Sequence, residues 1–145
     1  MIDTAMIDTL MIDTFLVAEK TVVDAKGDSA AFDVSGAASR VFLLTLDISK
    51  IIEQESIDVA VYGSADGATW SQKSIVAFPQ KFYCEQSPLL LDLSAHADVK
   101  FVRAHWDVAR WGRGTEKPMF EFSLQMKEVP ADMLREAIAE AKARV

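Results

Sequence analysis

The run from Val99 to Met126 carries the clearest alternation in the chain. In its first half Val102, Ala104, Trp106 and Val108 share one parity, while Arg103, His105 and Asp107 share the other. In its second half Phe120, Phe122, Leu124 and Met126 alternate with Glu121, Ser123 and Gln125. A period of two puts each set on one face of a sheet, so both halves are predicted strands with one buried face. The polar, glycine-containing stretch between them predicts a hairpin, with Trp106, Phe120 and Phe122 as core anchors.

The same alternation recurs upstream. Phe15 to Val23 and Ala30 to Val34 read as strands around a turn at Lys26-Gly27-Asp28. From Arg40 to Ser49, Phe42, Leu44, Leu46 and Ile48 form an inner face. Val41, Leu43 and Thr45 keep the other face apolar enough to be covered as well. Ile51 to Glu55 reads as a loop or a single turn. Ile57, Val59 and Val61 alternate with Asp58, Ala60 and Tyr62, and Gly63 to Gly67 is a turn signal ending in Asp-Gly. Trp70 to Phe78 is the expected return strand, with Trp70 joining the core, and Pro79 ends it because it cannot donate to a ladder. Gln80 to Ser87 reads as a connection whose Phe82, Tyr83 and Cys84 plug one end of the core, and Leu89, Leu91 and Leu93 form a short strand. About eight strands separated by turn signals predict an all-β fold, an antiparallel β-sandwich or jelly roll.

The ends differ from this middle. Residues 1–14 contain the unit MIDTA-MIDTL-MIDTF, a period of five that fits neither a helix stripe nor a strand face. They are expected to form an arm outside the sandwich of residues 15–128. Residues 129–145 predict a C-terminal α-helix. Pro130 suits a first turn, Asp132 and the pair Lys142 and Arg144 complement the dipole, and Leu134, Ile138, Ala141 and Val145 keep helical spacing. Neither end has an obvious task in a self-contained sandwich, so both are expected to contact other subunits or a larger particle.

Composition narrows the function classes. The net charge of −7 disfavours non-specific binding to nucleic acid or to an anionic membrane. The longest apolar runs are too short to span a bilayer as a helix. Asp3, Asp8 and Asp13 interrupt any secretory h-region, so no signal peptide is expected. Cys84 is the only cysteine, which excludes an intrachain disulfide and leans toward synthesis in the cytoplasm. It is expected to be a buried thiol. His96 and His105 lack metal-ligand spacing, the aspartates lack an EF-hand pattern, and no phosphate-binding glycine loop or nucleophile elbow occurs. No catalytic residue, metal or cofactor is expected. The surface constellation with the most chemistry is Arg103, His105, Arg110, Trp111 and Arg113, on or beside the loop that follows the first strand of Val99 to Met126. Arginine and tryptophan anchor protein interfaces, and a tryptophan ring can also stack on a sugar.

Several segments carry a resemblance. They are Leu46-Asp47-Ile48, Gly63-Ser64-Ala65-Asp66-Gly67-Ala68-Thr69-Trp70, Phe78-Pro79-Gln80, Phe101-Val102-Arg103-Ala104-His105-Trp106 and Pro118-Met119-Phe120-Glu121-Phe122-Ser123-Leu124. Between Arg40 and Lys127 the chain resembles small β-sandwich virion structural proteins of tailed bacteriophages, of the head-decoration or tail-accessory type. The resemblance implies a non-enzymatic structural protein, a homo-oligomer or part of a larger protein assembly, made in the cytoplasm and incorporated into a phage-like particle. The hairpin Ser-x-Asp-Gly-x-x-Trp is also similar to discoidin-like carbohydrate-binding sandwiches, which makes a glycan the alternative partner. The chain departs from those modules in lacking their flanking cysteines.

Overall fold

A computed structural model describes residues 11–111, 117–130 and Met133. Among the described residues there are nine strands: β1 (Asp13–Val23), β2 (Gly27–Asp28), β3 (Phe32–Asp33), β4 (Val41–Ile51), β5 (Glu55–Ser64), β6 (Val76–Ala77), β7 (Glu85–Asp92), β8 (Phe101–Arg110) and β9 (Phe120–Glu128). They form two antiparallel sheets. One has the order β1-β9-β4-β7; the other has the order β2-β8-β5-β6, with β3 also pairing β8. The expected C-terminal helix and the repeats of residues 1–10 lie outside the described residues, apart from Met133, which is helical.

Period-two alternation explains how the sheets meet. Phe42, Leu44, Leu46 and Ile48 on β4, with Phe120, Phe122, Leu124 and Met126 on β9, are buried on one inner face. Ile57, Val59 and Val61 on β5, with Val102 and Ala104 on β8, are buried on the other, and all belong to one apolar cluster. Trp106 on β8 is half-buried and packs its ring edge-on against Phe122 of β9, with centroids 5.6 Å apart and planes at 77°. That contact joins the two sheets across the core.

The expected hairpin between β8 and β9 does not form. β8 pairs with β5 and β9 pairs with β4 and β1, so the two strands lie in opposite sheets. The assignment of faces was sound, because alternation reports which side of a strand is buried. It does not report which neighbour supplies the hydrogen bonds. Stacked sheets lie about 10 Å apart, so strands that follow each other in opposite sheets are not joined by the tight turn of a hairpin.

Three other expectations change. β6 is two residues long, because Trp70 to Ile75 belong to a loop, and Trp70 therefore sits half-buried on the outer side and not in the inter-sheet core. β7 begins at Glu85, within the stretch read as a connection. β4 is not covered on both faces, since Leu43 remains exposed.

Sheet edges are managed by local irregularity. β1 carries register shifts between Phe15 and Val17 and between Val17 and Thr21, and Lys20 has a positive φ of 64°. Such bulges twist an edge away from pairing with another chain. β7, the opposite edge, contains Pro88, which is tolerated there because a proline cannot donate to a ladder.

The Ser-x-Asp-Gly-x-x-Trp segment proves to be a self-locking turn. Ser64 Oγ donates to the Thr69 carbonyl at 2.6 Å and accepts the Gly67 amide at 2.8 Å. Asp66 Oδ1 accepts the amides of Thr69 and Ala68 at 2.8 and 2.9 Å. Gly67 has φ of 81°, a conformation that side-chain-bearing residues rarely adopt, and it lies over the Phe101 ring.

The Thr69 amide, then the Ala68 amide, then the Ser64 hydroxyl hold the Asp66 carboxylate down at about 2, against an ordinary value of 3.8. A carboxylate with a depressed folded pKa stabilises the fold fully above its unfolded value, and that stabilisation is lost as pH falls through the folded value. Thermal stability is therefore expected to fall between about pH 4 and pH 2, and Asp66→Asn should reduce the slope in that window. Melting curves at stepped pH check this; an identical acid profile in the variant would contradict it.

Candidate functional site

The described members of the constellation predicted around the β8 loop separate into two places. Arg103 and His105 have odd parity and lie on the outer face of the β2-β8-β5-β6 sheet. Trp111 follows the end of β8, about 26 Å along the strand direction from Arg103 at 3.3 Å per residue. Arg113 lies outside the described residues.

On the outer face, His105 is bracketed. Its Nδ1 lies 2.8 Å from Asp28 Oδ1 and its Nε2 lies 3.0 Å from Asp107 Oδ2. Tyr62 meets the imidazole edge-on at 5.8 Å. The Arg103 guanidinium lies 4.3 Å over the Trp70 ring, and its Nε is 3.7 Å from Asp28. Both ring nitrogens of His105 are thus engaged by carboxylates of its own sheet. The network braces β2 against β8, and its exposed ion pairs are each worth at most about 1 kcal/mol.

The other place is an open cavity of about 520 Å³ at the end of the sheets, where Ile51, Glu53 and Gln54 face Phe82, Tyr83 and Trp111. Trp111 is 58% exposed and Tyr83 is 70% exposed. Phe82 joins them: its ring is 6.0 Å from Trp111, nearly perpendicular, and 6.3 Å from Tyr83. These aromatics were expected to plug the core, and they point outward instead. Cys84, expected to be buried, is exposed on the same loop. The reason is local. Phe82 and Tyr83 fall between an isolated bridge at Lys81 and the start of β7, so no strand parity turns them inward.

Backbone contacts hold the cavity in shape. The Trp111 amide donates to the Gln54 carbonyl at 3.0 Å, and Arg110 Nε donates to the Glu53 carbonyl at 3.3 Å. Gln54 has φ of 63°. A residue other than glycine held in this region costs of order 1–3 kcal/mol, so surrounding bonds must fix it. Glu55, with 1% exposure, supplies two of them: Oε2 accepts the Ile52 amide at 2.9 Å and Oε1 accepts the Met119 amide at 2.7 Å. Glu55 was not identifiable from the sequence, where it reads as an ordinary surface residue at a strand start.

A third surface lies on the outer side of the β1-β9-β4-β7 sheet. Leu43 and Leu90 are cross-strand partners on β4 and β7, exposed by 39% and 51%. Phe15 on β1 is exposed one row along, where Phe15, Gln125, Thr45 and Pro88 lie side by side. A groove of about 490 Å³ adjoins Leu43, lined by Met11, Ile12, Val129, Pro130 and Met133 among others.

Among the described residues no group of three or more His, Cys, Asp or Glu side chains is placed to hold a metal ion, and no helix is long and apolar enough to cross a membrane. No family model and no curated protein matches the chain.

Proposed function

We propose that this chain is a non-enzymatic structural protein of a phage-like particle, a head-decoration or tail-accessory β-sandwich that acts through contacts between subunits. Counting β2 and β3 as one interrupted strand gives the sheet orders 1-8-3-6 and 2-7-4-5, which fit a jelly roll, an architecture used by viral capsid proteins and by lectins. Fold alone does not assign a role, so the argument rests on a surface. The observation that carries it is the exposed apolar set Leu43, Leu90 and Phe15 on the outer face of one sheet. Leu43 and Leu90 adjoin each other across β4 and β7, and Phe15 lies on the same face beyond Gln125 and Thr45. Large apolar side chains left exposed on one sheet face mark an interaction site. The irregular edges direct association to the face and away from strand addition. Repetition in a symmetric assembly then makes modest contacts sufficient.

The test is the double variant Leu43→Asp, Leu90→Asp. The wild-type chain is expected to sediment as an oligomer, and the variant as a smaller species with an unchanged melting temperature. An unchanged oligomer would overturn the assignment of this face.

A second reading, a carbohydrate-binding module, is favoured by one observation: the open cavity walled by Phe82, Tyr83 and Trp111.

A further inference from the structure

We propose that the cavity beside Trp111 is a binding site for a neutral hexopyranose; this rests on the second reading above and names its ligand class. Size comes first. At about 520 Å³ the cavity falls in the range of about 300–1,000 Å³ found for small-molecule sites, and it is concave where a protein-docking surface would be flat. Its wall is aromatic. The exposed indole of Trp111 and the phenol of Tyr83 flank the Phe82 ring, which packs edge-on to the indole. A pyranose presents a face of C–H groups suited to the negative face of an aromatic ring, while its hydroxyls point outward in the ring plane.

The polar partners are in place. Glu53 and Gln54 line the cavity and are exposed, so a carboxylate can accept two vicinal hydroxyls while an amide both donates and accepts. Glu55 is excluded as a contact, because both of its oxygens hold backbone amides. The same bonds keep the loop from Ile52 to Glu55 in one shape before any ligand arrives, which reduces the ordering cost of binding. Charge selects the class. A carboxylate at Glu53 and a net charge of −7 disfavour uronates and sialylated sugars and leave neutral hexoses.

Titration calorimetry on the full chain tests this with maltose, cellobiose and lactose as neutral probes, and with digalacturonate and sialyllactose as acidic ones. At least one neutral disaccharide is expected to bind. Trp111→Ala should weaken that binding at least about tenfold without changing the melting temperature, and Tyr83→Ala should weaken it less. Binding of acidic probes alone would overturn the neutral class while sparing the carbohydrate reading. Absence of binding to every probe and to a glycan array would overturn both. Neutral binding indifferent to Trp111→Ala and Tyr83→Ala would overturn the site. Wild type that binds no probe, together with a changed solution mass in Trp111→Ala, would overturn the sugar site and assign the aromatics to subunit contacts.

Discussion

Replacing Trp106 with alanine is expected to destabilise the fold by about 3 kcal/mol, at the lower end of the range for deleting a large buried aromatic, because the ring is only half-buried. Three contacts set the magnitude. The indole packs on Phe122 of the facing sheet at 5.6 Å, and its Nε1 donates to the Ala25 carbonyl at 3.1 Å. The backbone of Gly27 lies against the ring so closely that a Cβ there would fall 2.9 Å from Cζ2. Truncation removes the bridge between sheets, leaves the Ala25 carbonyl without its donor and opens a cavity that β2 cannot fill. Urea unfolding should show a lower midpoint at unchanged slope. The Gly27 contact adds a coupling. Gly27→Ala should destabilise wild type by about 1–3 kcal/mol through overpacking, and cost much less in Trp106→Ala, where the space is empty. An unchanged midpoint in Trp106→Ala would reject the placement of that ring between the sheets.

Glu128→Ala should cost about 3 kcal/mol, although the residue is a carboxylate at the end of a strand. Glu128 is 3% exposed. Its Oε1 accepts the Ile12 amide at 3.1 Å, and its Oε2 accepts the amides of Ala38 and Ser39 at 3.0 and 3.1 Å. One carboxylate therefore ties the entry to β1, the approach to β4 and the end of β9. Removing it leaves three amides without a charged acceptor; one bond to a charged group has a net worth of about 1.5–3 kcal/mol, and the three share one carboxylate and do not add in full. Glu128→Gln should retain part of the effect, since its carbonyl can serve one amide while its NH₂ opposes another. Hydrogen exchange provides the local check: the amides of Ile12, Ala38 and Ser39 should lose protection first. Unchanged protection at these three positions would contradict the role of the clasp.

These two residues mark where sequence was informative and where it was not. Trp106 was legible because its neighbours at even positions are apolar and those at odd positions are polar, and the same logic located the inner faces of β4, β5, β8 and β9. Pairing was not legible. β8 and β9 face each other across the core, and a strand's alternation is the same whether its successor lies beside it or opposite it. Glu128 and Glu55 were invisible because a buried carboxylate is recognisable only by the amides that converge on it, and those come from distant segments. Trp70 was misplaced for a related reason. Its turn carries a strong hairpin signal, but Ser64 and Asp66 spend that signal on locking their own loop, and the return strand shrinks to Val76 and Ala77.

The surface chemistry divides in the same way. Trp111 was singled out by residue type and position after a strand, and the structure leaves it open. Its companions Phe82 and Tyr83 arrive from a segment 29 and 28 residues earlier, and nothing in their spacing announced the meeting. Arg103 and His105 were grouped with Trp111 by proximity in sequence. Strand rise and parity separate them, and Asp28 and Asp107 draw His105 into a structural role. The exposed pair Leu43 and Leu90 was hidden by the expectation that β4 would be covered on both faces.

Assembly through the outer face of the β1-β9-β4-β7 sheet is the central claim, and sedimentation velocity of the full-length chain across a concentration series tests it most directly. The account predicts a defined oligomer whose mass drops in the Leu43→Asp, Leu90→Asp variant. A wild-type chain that stays monomeric at every concentration would contradict it.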